Sequence, residues 1–217
     1  MAEPNFFTEL ILNTDEARRS FETNPVIFEA AANGMSLGRY QRLLCELYHI
    51  VWHFNPICAA ATSRISDENA NVRYFLYRHM QEEAGHEQWV LNDLEAVGFG
   101  REDVTAHAPS SHVLGMLGFN YWSADRRHPC SILGMLYVLE VLAAVYGGPF
   151  SVAIKEGLLL QGDRGISFLQ SHASLDEIHM VDLRNILNAV QGSDAKRAIV
   201  ESVQVNFMQV TSVFSTV

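Results

Sequence analysis

The stretch "SHASLDEIHMVDL" places His172, Asp176 and His179 at i, i+4 and i+7, one stripe of a helix. The same stripe continues as Phe168, Leu175, Leu183, Ile186 and Val190, so three potential ligands share a face that should be buried. Burying an isolated carboxylate costs several kcal/mol without compensation. A metal ion supplies that compensation, being the partner a carboxylate and two neutral imidazoles have in common. An internal His–Asp–His hydrogen-bond network is the alternative.

Three further stretches carry the same conflict between pattern and polarity. Through "HMQEEAGHEQW" and the residues on either side of it a stripe runs Val72, Leu76, His79, Glu83, His86, Val90, Leu94 and Val97, apolar at both ends and ionisable in the middle. Glu83 and His86 stand at i,i+3 and can converge on one ion, as Glu-x-x-His pairs do in metal-binding bundles. Glu82 offers a second geometry at i,i+4, and a solvated charge cluster is the bland reading of a weak pattern. Glu140 is the one charged residue between Ile132 and Tyr146. In a helix apolar on all sides it should be buried, and then either protonated or bound to something positive. In "CELYHIVWHF", Glu46, His49 and His53 stack along one face. Glu46 is the preferred ligand and His49 its substitute, with an exposed Arg42–Glu46 pair as the competing reading.

Together Glu46, Glu83, His86, Glu140, His172, Asp176 and His179 make seven donors on four helices. One zinc takes about four ligands, and calcium prefers oxygen to histidine. Mixed carboxylate and imidazole in this number suits two first-row transition ions bridged by a carboxylate, two Fe(II) first and manganese second.

The elements that must position these donors read as helices nearly throughout. Ser36 opens a long helix that Pro56 should kink or end, and residues 68–98 read as one helix stopping at Gly98. "HPCSILGMLYVLEVLAAVYGGP" is almost wholly apolar, and a last helix starts with Ser193 or Asp194 as its cap. No stretch alternates strictly enough to demand a strand. The expectation is one all-α domain over residues 1–217, a bundle of about seven or eight helices with longer crossovers. A hydrophobic fraction of 48% gives such a bundle a core. The net charge of -10 excludes nucleic acid and anionic membranes as favoured partners. No stretch reads as approaching the length and apolarity of a membrane span, and no leader is expected at "MAEPNFFTEL". Three cysteines without C-x-x-C spacing fit reduced thiols in cytoplasm.

With these residues assembled, the chain resembles the heme-oxygenase-like non-heme di-iron oxidases and oxygenases, relatives of the TenA thiaminases and the pyrroloquinoline-quinone synthase fold. The likeness runs from "NPVIFEAAANGMSLGRYQRLLCELYHIV" through "EEAGHEQW" and "YVLEVL" to "FLQSHASLDEIHMVDL". Its most specific motif is H-x-x-x-D-x-x-H at His172, Asp176 and His179, after an upstream E-x-x-H at Glu83 and His86. The resemblance implies a seven-helix fold, an Fe(II) pair, O2 as co-substrate and a small organic substrate such as an amine, an amino acid or a fatty acid. Two alternatives stay open: a cofactor-free TenA-type or quinone-synthase-type hydrolase or cyclase, and a non-catalytic binding protein. A thiaminase would need a nucleophilic cysteine in its pocket, and neither Cys45 nor Cys130 stands in a recognisable context for one. No histidine precedes His49 to serve as the early axial ligand of a heme enzyme. A homodimer is compatible with this reading.

Overall fold

The computed structural model describes residues 5–217, with the backbone alone described for 173–178. The elements are α1 (Phe6–Glu22), α2 (Pro25–Asn33), α3 (Leu37–Thr62), α4 (Ala70–Glu82), α5 (Glu87–Ala96) and α6 (Arg101–Ala106). They continue with α7 (Ser111–Trp122), α8 (Ile132–Val141), α9 (Gly148–Gly157), α10 (Ser167–Ala189) and α11 (Ser193–Thr216). Among the described residues there is no strand.

The division into more segments than seven or eight has local causes. The stretch read as one helix over 68–98 is broken at 83–86, between α4 and α5, where Gly85 takes φ +95°. That conformation suits glycine because it has no side chain to clash with the backbone. A Cβ there would meet nothing within 4 Å, so backbone shape rather than packing calls for the glycine. The apolar stretch is interrupted too: α8 runs into a π turn, Leu142–Gly147, before α9. Pro56, by contrast, neither ends nor splits α3, which continues to Thr62.

The Pro129–Gly157 track is 29 residues long and holds an 18-residue window of mean hydropathy 1.8, so by length and composition it could cross a membrane, where the sequence reading found no such stretch. Of its most apolar window 67% is buried inside the fold, so it packs as a core helix. Its packing is close: a Cβ on Gly134 of α8 would stand 2.7 Å from the Ile199 carbonyl of α11. The core has two lobes. One gathers Leu10, Phe21, Leu133, Leu136 and Phe207, the other Tyr40, Leu44, Leu94 and Ile154, and Phe214 of α11 packs against both.

Candidate metal centre

Two groups of donors face each other across α4, the 83–86 break, α8 and α10. His79, Glu83, Glu140 and His179 form one, with ligand atoms all within 4.8 Å of one another. Glu83, His86 and His172 form the other by the same measure. Glu83 belongs to both.

The break in the helix makes this sharing possible. Glu83 caps the end of α4 and His86 opens α5, so the pair meets across a turn rather than along a continuous helix face. Glu83 Oε2 lies 2.7 Å from His86 Nδ1 and 3.7 Å from His172 Nε2. Burial alone would push the Glu83 carboxyl up. The imidazoles of His172 and His86 more than reverse this and hold it well below the usual carboxylate range. Glu83 therefore stands ionised in a largely buried place.

Glu140 Oε1 lies 3.4 Å from both His79 Nε2 and His179 Nδ1. All three side chains are buried or nearly so. The π turn starting two residues after Glu140 widens the helix there; such turns recur at functional sites. His79 stacks on Phe75 with ring centroids 5.4 Å apart, which fixes its plane. His172 Nδ1 donates to the Phe168 carbonyl at 3.0 Å, which turns Nε2 toward the cluster, 3.2 Å from His86 Nδ1. A backbone carbonyl that fixes the tautomer is the usual companion of a metal-ligating histidine.

A buried carboxylate outside the cluster holds α10 in register. Asp93 Oδ1 of α5 accepts from Gly165 N at 3.1 Å, Ser167 N at 2.9 Å and Ser167 Oγ at 2.8 Å. Its Oδ2 accepts from Phe168 N at 2.8 Å. The Tyr40 hydroxyl adds a bond to the Gly165 carbonyl. These bonds satisfy donors that a helix start leaves without partners in its own helix. So α5 both begins at His86 and grips the helix that brings His172 and His179.

Of the donors expected from sequence, Glu83, His86, Glu140, His172 and His179 come together, and Glu82 stands at the rim, 56% exposed, 3.7 Å from His179 Nε2. Asp176 lies outside the described side chains. Glu46, the preferred first-helix ligand, is not among the residues brought together. It is buried, but its oxygens accept from Ser110 N at 3.1 and 3.2 Å and from Ser110 Oγ at 3.0 Å, just before α7 begins. His49 is no substitute: its Nε2 bonds the His107 carbonyl. His79 takes the place sequence reasoning gave to Glu46. The signal was present, since His79 sits on the same stripe one turn before Glu83. Glu46→Gln is accordingly expected to leave iron stoichiometry unchanged while lowering stability by about 1–2 kcal/mol, as the loss of a charged acceptor does. Metal analysis beside a denaturant titration checks both halves.

Against the cluster lies a cavity of about 140 Å³, with the Glu83 and Glu140 carboxyls, the His172 imidazole and the Tyr146 phenol in its wall. The rest of the lining is almost entirely apolar, including Leu47, Ile50, Phe54, Phe150 and Phe168. Arg184 is no part of it; its guanidinium lies over the Phe7 ring.

This architecture is the heme-oxygenase-like fold. A domain of unknown function with that fold from Shewanella denitrificans os217 superposes with a TM-score of 0.86 at 22% identity, over 99% of this chain and 92% of that one. A TenA homolog from Pseudomonas syringae pv. tomato str. DC3000 gives 0.82 at 12% identity, over 98% and 92%. Heme oxygenase from Leptospira interrogans gives 0.77 at 17% identity, over 99% and 100%. No curated protein matches the chain by sequence. Residues 41–206 match the family described as iron-containing redox enzyme, and the chain belongs to that family.

Proposed function

We propose that this protein is a non-heme di-iron oxidase or oxygenase that uses O2 to oxidise a small organic substrate. The observation that carries the reading is Glu83, one carboxylate common to two groups of donors. Nitrogen and carboxylate oxygen in this mixture suit Fe(II), with Mn(II) as the nearest substitute. His79, Glu140 and His179 would hold one ion, His86 and His172 the other, with Glu83 between them. Two ferrous ions would supply the electrons that reduce O2.

The chain's own contribution is placement and exclusion. In the neutral ring, the bond from His172 Nδ1 to the Phe168 carbonyl would leave the Nε2 lone pair for an ion, and Phe75 keeps the His79 ring in plane. Leu139 and Phe168 stand beside Glu140 and His172 in the cavity wall and give the donors apolar neighbours there. A cysteine nucleophile has no support here. Burial pushes the Cys45 thiol up to about 11 and that of Cys130 to about 12, away from the reactive thiolate, and none of the three cysteines lines the cavity. That weighs against a thiaminase-type hydrolase.

Anaerobic Fe(II) titration of metal-free protein should reach about two equivalents, the second weaker, followed by O2 uptake on exposure to air. One tight zinc and no iron would contradict the reading.

A further inference from the structure

Two neighbouring glutamates at the end of α4 stand in opposite surroundings. The Glu83 side chain is 11% exposed and belongs to the cluster, whereas that of Glu82 is 56% exposed. The histidines nearest to Glu82, His79 and His179, are only 3% and 13% exposed. Glu82 Oε2 lies 3.9 Å from His79 Nδ1 and 3.7 Å from His179 Nε2. The opposite nitrogens of the same two rings, His79 Nε2 and His179 Nδ1, each lie 3.4 Å from Glu140 Oε1. The imidazole pair therefore stands between a carboxylate in water and a carboxylate in the core.

Stability does not account for Glu82. It is the last residue of α4, where the negative end of the helix dipole disfavours a carboxylate. Among the described residues no lysine or arginine pairs with it. The cavity offers an ion a poor approach to the same donors. Its wall is apolar apart from Glu83, Glu140, His172 and Tyr146, so a hydrated dication crossing it would give up water for groups that return nothing. At Glu82 the ion exchanges water first for a carboxylate and then for imidazoles, so its charge is never left without a partner.

We propose that Glu82 is the entry residue of the metal centre, capturing a divalent cation from solvent and passing it by way of His79 and His179 to the buried donors. The proposal rests on the reading of the cluster as a metal centre, and adds to it a route rather than a ligand.

The test is Co(II) loading of metal-free protein, followed by stopped-flow visible absorbance, with release into excess chelator measured beside it. Glu82→Gln should slow Co(II) association at least tenfold at low ionic strength, the kind of effect that a charge at the mouth of a site has on entry. Release should slow by a comparable factor, because a residue on the path serves both directions, and Co(II) bound at saturation should equal the parent's. Added salt should slow the parent more than the variant and narrow the gap. Glu102→Gln, an exposed change of equal charge on α6, controls for the net charge of -10 and should load like the parent. Metal-free Glu82→Gln should melt no lower than the parent, with Glu82→Ala as the second variant should the first fail to fold. An unchanged association rate in a folded Glu82 variant would overturn the proposal. Faster release with less Co(II) bound would overturn it too, by making Glu82 a ligand. A parent that takes up no Co(II) would contradict the metal centre and the entry route together, whereas normal uptake at an unchanged rate in the variant sinks the route alone.

Discussion

If the parent takes up the two iron ions proposed, Glu83→Ala protein is expected to bind neither of them, although only one residue has changed. Glu83 is the donor common to both groups, so its loss removes an oxygen from each and the charge that offsets two cations. Loss of a mere outer hydrogen-bond partner costs a metal site about 10–100-fold in affinity, and loss of a shared ligand should exceed the upper figure at both positions. His79→Ala should behave differently, losing one ion and keeping the one held by His86 and His172. Folding should survive both changes. Glu83 is held ionised by His86 and His172, so its loss removes stability at neutral pH, and metal-free Glu83→Ala should melt a few degrees below the parent while still unfolding cooperatively. Iron content after anaerobic loading and desalting reads out the difference. Parent-like iron in Glu83→Ala would show that the two groups do not share this carboxylate.

The largest stability effect should come from a residue that touches no donor atom of the cluster. Asp93→Ala deprives three backbone N–H groups and the Ser167 hydroxyl of one buried acceptor. Helix caps are worth about 0.5–2 kcal/mol, and buried donors left unpaired cost about 1–3 kcal/mol more. A total loss of about 3–4 kcal/mol lowers the melting temperature by roughly 10 °C in a chain of this size. Asp93→Asn keeps one acceptor but turns an amide N–H toward a backbone N–H, so it should recover only about half. Asp163→Ala, at an exposed Lys155 pair, is the control and should fall within about 0.5 kcal/mol of the parent. Thermal melts of metal-free protein decide it; an Asp93→Ala melt like the control's would mean that α10 is held by packing alone.

The helical class was legible because the apolar residues recur with helical spacing nearly everywhere, and Glu140 was legible because no other charge interrupts its stretch. Glu83, His86, His172 and His179 could be named from spacing, yet for Glu83 and His86 the route was different. Spacing put them on one helix face; the chain instead breaks at Gly85 and brings them together across the turn. Glu46 misled because a buried carboxylate needs a partner, and spacing cannot tell an ion from a serine sixty-four residues away. His79 was passed over for the converse reason: its partners, Glu140 and His179, come from two other helices. Asp93 gave no signal at all, since its role is defined by the backbone N–H groups of a distant helix start. Pairings between helices are what a periodicity does not encode.

The central claim is two metal positions with Glu83 between them. Crystals of the Fe(II)-loaded protein measured at the iron absorption edge test it most directly. Two anomalous peaks are expected, one among His79, Glu140 and His179, the other among His86 and His172, with Glu83 reaching both. A single peak, or peaks at Glu46 and away from Glu83, would contradict it.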